Sequence, residues 1–158
     1  GGRVIVGEPK VIPIDRSTKF DPTKFIGEGW SIVEEDERSL NITEVDMSKV
    51  SFEAMLEQGE TYVIGEEKLK RLKEHGGIRL DAKVFQTLWE NQHLIPASWN
   101  EPTNGNATYI FFDGTVLRDP FGGRCVLCLY WRGGEWDWDC RWLDDLWSAG
   151  RPSAVLAS

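Results

Sequence analysis

Hydrophobic positions change period twice along this chain, and the changes mark out its elements. Early on, Val4-Ile-Val6 and Val11-Ile-Pro-Ile14 alternate with polar residues, while Pro9 and Pro13 interrupt them. Such interruption predicts edge strands or extended chain rather than core for residues 1–38. Within them, Glu34-Glu-Asp-Glu37 reads as a solvated acidic loop. Residues 39–53 alternate around Ile42, Val45, Met47, Val50 and Phe52, which predicts strand or extended chain. The period then lengthens. Gly65-Glu-Glu-Lys-Leu-Lys-Arg-Leu-Lys-Glu74 carries acids first and bases later, the order that suits a helix dipole, and Gly76-Gly77 supplies the stop. A second helix is predicted from Asp81, an N-cap residue, with Val84, Phe85, Leu88 and Trp89 on one face and an end before Pro96.

Beyond the turn-rich Asn100-Glu-Pro-Thr-Asn-Gly-Asn106 the period shortens to two. Thr108-Tyr-Ile-Phe-Phe112, then Asp113-Gly114, then Thr115-Val-Leu-Arg118 predict a hairpin closed by an Asp-Gly turn. Phe121-Gly-Gly-Arg124 is a second turn, Cys125-Val-Leu-Cys-Leu-Tyr-Trp131 a buried strand, and Arg132-Gly133-Gly134 a third turn. Glu135-Trp-Asp-Trp-Asp139 alternates, putting both tryptophans on one face and the acids on the other. Trp142, Leu143, Leu146 and Trp147 fit a short helix stopped by Gly150, and Pro152-Ser-Ala-Val-Leu-Ala-Ser158 a closing strand. The result is an α+β chain: two helices packed on a small antiparallel sheet with long loops. Residues 1–38 form its N-terminal extended segment and 39–158 its domain.

Five of the eight tryptophans fall between Trp131 and Trp147. Each can bury about 150–250 Å², roughly 4–6 kcal/mol as an upper bound. Anchors of that size hold a segment whatever lies between them. What lies between is small or polar: Arg132, Gly134, Asp137, Asp139, Cys140, Arg141, Asp144, Asp145, Ser148, Gly150 and Arg151, with Leu146 as an apolar member. The expectation is a framework of buried Trp131, Trp136, Trp138 and Trp142, with Trp147 left open, beneath a displayed ligand-binding set.

Charge narrows the partners. A formal net charge of -8 speaks against nucleic acid, whose binders need a basic face to neutralise phosphates. No apolar run is long enough to insert into a membrane. Localisation is left open. Cys125-Val-Leu-Cys128 has the spacing of a redox or zinc motif, but residues three apart on a strand point to opposite faces, so packing thiols are expected. No cofactor or metal site is expected.

Two helices, Phe112-Asp-Gly-Thr-Val-Leu117, Gly123-Arg-Cys-Val126 and a Trp-punctuated polar segment ending in Pro152-Ser-Ala-Val-Leu-Ala157 resemble a variable protein of a diversity-generating retroelement. That resemblance implies a C-type lectin-like fold for residues 39–158, with a hypervariable region near 132–151. In the family, template adenines are copied with errors, and asparagine codons become any residue except Lys, Glu, Gln, Met and Trp. All the interleaved residues above belong to the reachable set. Trp codons contain no adenine, so the five tryptophans would stay fixed, and Glu135 would count as framework. Sugar-binding C-type lectins hold calcium with a Glu-Pro-Asn type triplet followed by Trp-Asn-Asp. Here Glu101-Pro-Thr-Asn104 has an extra residue and Trp99-Asn-Glu101 comes before it, so calcium-dependent sugar binding is not expected.

The function implied is binding of a protein or cell-surface ligand by the displayed set. A carbohydrate-binding module is the alternative, and it needs two or more tryptophans exposed on one platform. No enzyme is expected: Asp137, Asp139, Asp144 and Asp145 lie close to Arg132, Arg141 and Arg151, and no nucleophile stands beside a base.

Overall fold

The computed structural model describes residues 11–158, so the alternation expected at Val4-Ile-Val6 lies outside the described residues. Strand β1 (Val11–Pro13) is followed by a one-turn helix α1 (Pro22–Phe25), strand β2 (Ser31–Glu35), a second one-turn helix α2 (Glu37–Leu40) and strand β3 (Glu44–Asp46). β1 pairs antiparallel with β3, Ile12 opposite Val45. Here the expectation of chain outside the core is corrected. Ile12, Ile14 and Phe20 are all buried in the main core together with Val45 and Met47. β1 ends at Pro13, but the inward positions on either side of that proline are Ile12 and Ile14, and burial follows those. Arg16 fixes the segment, bonding to Asp81 at 2.7 Å and to the carbonyls of Ile42 and Ser39 at 2.8 and 2.7 Å. Packing thus runs continuously across residue 38.

Strands β4 (Ser51–Glu53) and β5 (Tyr62–Ile64) precede helix α3 (Gly65–His75). Glu66 and Glu67 open that helix, Lys73 and His75 close it, and Gly76 caps it at φ 85°. Strand β6 (Ile78–Arg79) leads to helix α4 (Ala82–Glu90), whose N-cap Asp81 accepts from the Val84 N–H. Val84, Phe85 and Leu88 are buried as expected, while Trp89, expected on the same face, is half-buried against the main core.

The remaining strands are β7 (Tyr109–Phe111), β8 (Thr115–Arg118), β9 (Arg124–Arg132), β10 (Glu135–Trp142), β11 (Leu146–Ser148) and β12 (Ser153–Leu156). β10 pairs with β9 along its whole length, from Glu135 opposite Arg132 to Trp142 opposite Cys125. β7 and β8 both pair antiparallel with β9 as well, at Cys128–Tyr130 and at Arg124–Cys125. Since a strand has two edges, β7 and β8 lie end to end along the second one. The hairpin expected at 108–118 is therefore a single interrupted strand. Asp113-Gly114 bulges out between its halves instead of reversing it, because Gly114 is drawn against residues 79–80: its N–H donates to the Leu80 carbonyl at 2.8 Å, and a Cβ there would meet the Arg79 carbonyl at 2.3 Å. β2 and β12 extend the sheet beyond β8 and β7. The architecture is mixed α+β with antiparallel sheets, apart from the parallel β7–β12 contact.

Each face of β9 carries its own core. Cys125, Leu127 and Leu129 join α4 and the N-terminal segment, whereas Val126 and Cys128 join Leu69 of α3, Phe111, Leu143 and Trp147. A buried Leu or Phe contributes about 1.5–3 kcal/mol, so both faces hold the strand on which the 132–151 segment is built.

Candidate functional site

The β9–β10 hairpin closes through Gly133 at φ 64° and Gly134 at φ 81°, two consecutive left-handed residues that side chains rarely adopt. Gly134, expected among the displayed residues, is thus a turn-forming residue, exposed but fixed by backbone geometry. Along β10 the even positions face inward. Trp136 and Trp138 pack half-buried on the main core, with Trp138 4.9 Å from the Phe25 ring. Cys140 continues the same row and is buried, so its assignment to the displayed set is corrected. It stands two residues beyond Trp138, and period-two geometry turns it inward.

The tryptophan order differs from expectation. Trp147 is the deepest, 1% exposed, lying 3.9 Å from the Phe111 ring and donating its indole N–H to the Trp142 carbonyl. Trp142 is 42% exposed and donates to Asp119 at 2.7 Å. Trp131 and Trp136 are half-buried cross-strand partners, edge to face at 5.4 Å. No helix forms at 142–147. Instead β11 pairs with β5, setting Leu146 opposite Ile64 and Ser148 opposite Tyr62. Backbone bonds from Gly65 to the Asp145 carbonyl and from Glu66 to the Leu143 carbonyl seat this loop on the start of α3. Trp147 and Leu143 point in, while Asp144, Asp145, Leu146 and Ser148 point out. A Cβ at Gly150 would stand in ordinary van der Waals contact, its nearest neighbours at 3.8 Å.

On the outward face Asp137 accepts from the Tyr130 hydroxyl at 3.2 Å, and Arg141 lies 3.1 Å from Asp139. Arg151 reaches Asp145 at 3.5 Å and the Leu146 carbonyl at 3.1 Å. Burial first, then the Asp137 carboxylate, pushes the Tyr130 phenol above its ordinary range. All three arginines of the expected set converge on one residue that sequence reasoning assigned only to a strand. The guanidinium carbons of Arg132, Arg141 and Arg151 lie 6.0, 5.5 and 5.8 Å from the Tyr109 ring centroid. Arg132 also donates to the Tyr109 hydroxyl at 2.6 Å and covers the Tyr130 ring at 5.5 Å, the two tyrosine rings being 4.7 Å apart. Tyr130 was legible, two residues before Arg132 on the same strand face. Tyr109, Tyr62 and Ile64 carry no local signal, because only the pairing of distant strands brings them here.

All three cysteines are buried and unpaired. Burial raises the Cys125 thiol to about 12 and the other two further, which leaves almost no reactive thiolate at neutral pH. Among the described residues no three His, Cys, Asp or Glu side chains group as a metal site, and no helix is long and apolar enough to cross a membrane. Comparison of the chain with protein-family models, with curated proteins and with solved structures returned no match.

Proposed function

We propose that this chain is a variable protein of the diversity-generating retroelement kind, with a C-type lectin-like fold, that binds a protein or cell-surface target and turns nothing over. The observation that carries the reading is the division of one segment between two faces. Trp136, Trp138, Cys140, Leu143 and Trp147 pack inward. Asp137, Asp139, Arg141, Asp144, Asp145, Leu146 and Ser148 stand outward beside Arg132 and Arg151. The outward side chains can change without emptying a core position, so recognition and folding are separable on one short stretch of chain. Tyr109, Tyr130, Tyr62 and Ile64 complete the surface from outside the variable segment.

Mixed charge around aromatic rings and a small apolar patch (Leu146 and Ile64 are 47% and 50% exposed) suits a protein partner. A sugar-stacking platform fits less well. Trp131 and Trp142 sit about 20 Å apart along the hairpin at about 3.3 Å per residue, and the Trp131–Trp136 rings are inclined at 69°. Probing arrayed proteins and glycans with the labelled chain, with and without a calcium chelator, tests the reading. Chelator-resistant binding to protein is expected. Binding confined to glycans, or abolished by chelation, would overturn it.

A further inference from the structure

We propose that the surface centred on Tyr109 takes a single carboxylate of a protein partner, and that basic side chains flank that carboxylate on the partner. This inference rests on the protein-recognition reading and specifies what the partner must carry.

Three guanidinium groups gathered within 6.0 Å of one ring repel one another unless anions lie among them. Two of the three have an internal carboxylate, Asp139 for Arg141 and Asp145 for Arg151. Arg132 has none within ion-pair distance among the described residues. Glu135 faces it across the turn in strand register, but no ion pair joins them. One Arg132 nitrogen is engaged by the Tyr109 hydroxyl, and its other N–H groups make no hydrogen bond among the described residues. Because that hydroxyl accepts from Arg132, its own proton is directed elsewhere. An exposed guanidinium N–H and a phenolic O–H thus stand side by side at 2.6 Å, and a carboxylate can take one donor on each oxygen.

Access to Tyr109 is open. It lines two depressions, one of about 650 Å³ that also includes Trp131 and Arg132 and one of about 470 Å³ that also includes Thr103, Ser148 and Arg151. The surroundings set the flanking charge. Asp137, Asp139 and Asp145 stand around the donors, each tied to the centre through Tyr130, Arg141 or Arg151. A polyanion would meet these acids and the chain's net charge of -8. A segment with one acid between bases places each charge opposite its complement.

The test uses a displayed library of random dodecapeptides selected on the intact chain, followed by a double-mutant cycle between Arg132→Ala and Glu→Gln in the best peptide. Arg132 is exposed at a turn, and matching melts of the two proteins check that the variant folds. Expected are peptides with one acid flanked by Lys or Arg, a loss of about tenfold for either single change, and little further loss for both together. Peptides without an acid, no selected peptide, additive effects in the cycle, or equal binding of hexaglutamate would each overturn the inference. Amide hydrogen exchange separates the two failures. Bound peptide that protects 130–141 and 146–151 without needing an acid leaves the protein-recognition reading standing. Protection elsewhere removes both.

Discussion

The Lys68 ammonium lies 4.7 Å from the centroid of the Trp147 ring and donates a hydrogen bond of 2.6 Å to the Arg151 carbonyl. Lys68 is fully buried, so α3 reaches through the second core to hold both sides of the outward-facing 148–150 bend. Desolvation lowers its pKa from 10.5 to about 8, opposed by the charge of Asp113 and reinforced by that of Arg151.

That shift has a definite sign. Below pH 8 Lys68 is protonated in both the folded and unfolded chain, and the penalty for burying its charge is fully present. Between about 8 and 10.5 the unfolded chain binds more protons, so folded stability rises with pH. Comparing urea melts of wild type with Lys68→Met isolates the effect from other titrations. The difference is expected to be flat below pH 8 and to move in favour of wild type by up to about 3 kcal/mol by pH 10.5. A difference that stays flat, or moves the other way, contradicts it.

Trp147 and Trp142 should respond unequally to truncation. Trp147→Ala empties a fully buried site beside Phe111 and is expected to cost about 3–5 kcal/mol. Trp142→Ala removes a half-exposed ring and its bond to Asp119, a loss of about 1–2 kcal/mol. Denaturant midpoints of the two variants check the order.

Much of the fold could be read from local pattern, and the misses share one cause. α3 and α4 were legible because acids, bases, caps and apolar spacing agree within one segment. The β9–β10 hairpin was legible because two glycines and a clean alternation meet there. Asp113-Gly114 misled because its turn chemistry is local, whereas the close approach of residues 79–80 that makes it a bulge is not. Trp147 was left open and proved the deepest of the five, since β5 and α3 close over it from more than seventy residues upstream. For the site, alternation over 135–139 set Asp137 and Asp139 on the face opposite Trp136 and Trp138, as the strand has them. The same rule, carried one step further, would have turned Cys140 inward. Tyr109 could not have been chosen, because nothing near it in sequence distinguishes it from its neighbours.

Cys140 and Leu146, both in the set expected on display, now separate. Cys140→Arg forces a charge into the main core and is expected to unfold the chain or cost several kcal/mol. Leu146→Arg places the same charge on an exposed strand position, where a change of about 0.5 kcal/mol or less is expected. Circular dichroism melts of the pair decide it. Equal effects would mean the two positions are not on opposite sides of the framework.

The separation of folding from recognition is tested most directly by a surface-displayed library. Arg132, Asp137, Asp139, Arg141, Asp144, Asp145, Leu146, Ser148 and Arg151 are randomised together, while Gly133, Gly134, Trp136, Trp138, Cys140 and Trp147 are kept. Protease resistance is measured clone by clone before selection, and binding to purified lysozyme in chelator after it. Most clones are expected to remain resistant, and chelator-independent binders are expected to emerge with changes at the randomised positions alone. A library cleaved like the Trp147→Ala variant, or one that folds but yields no binder, would contradict the account.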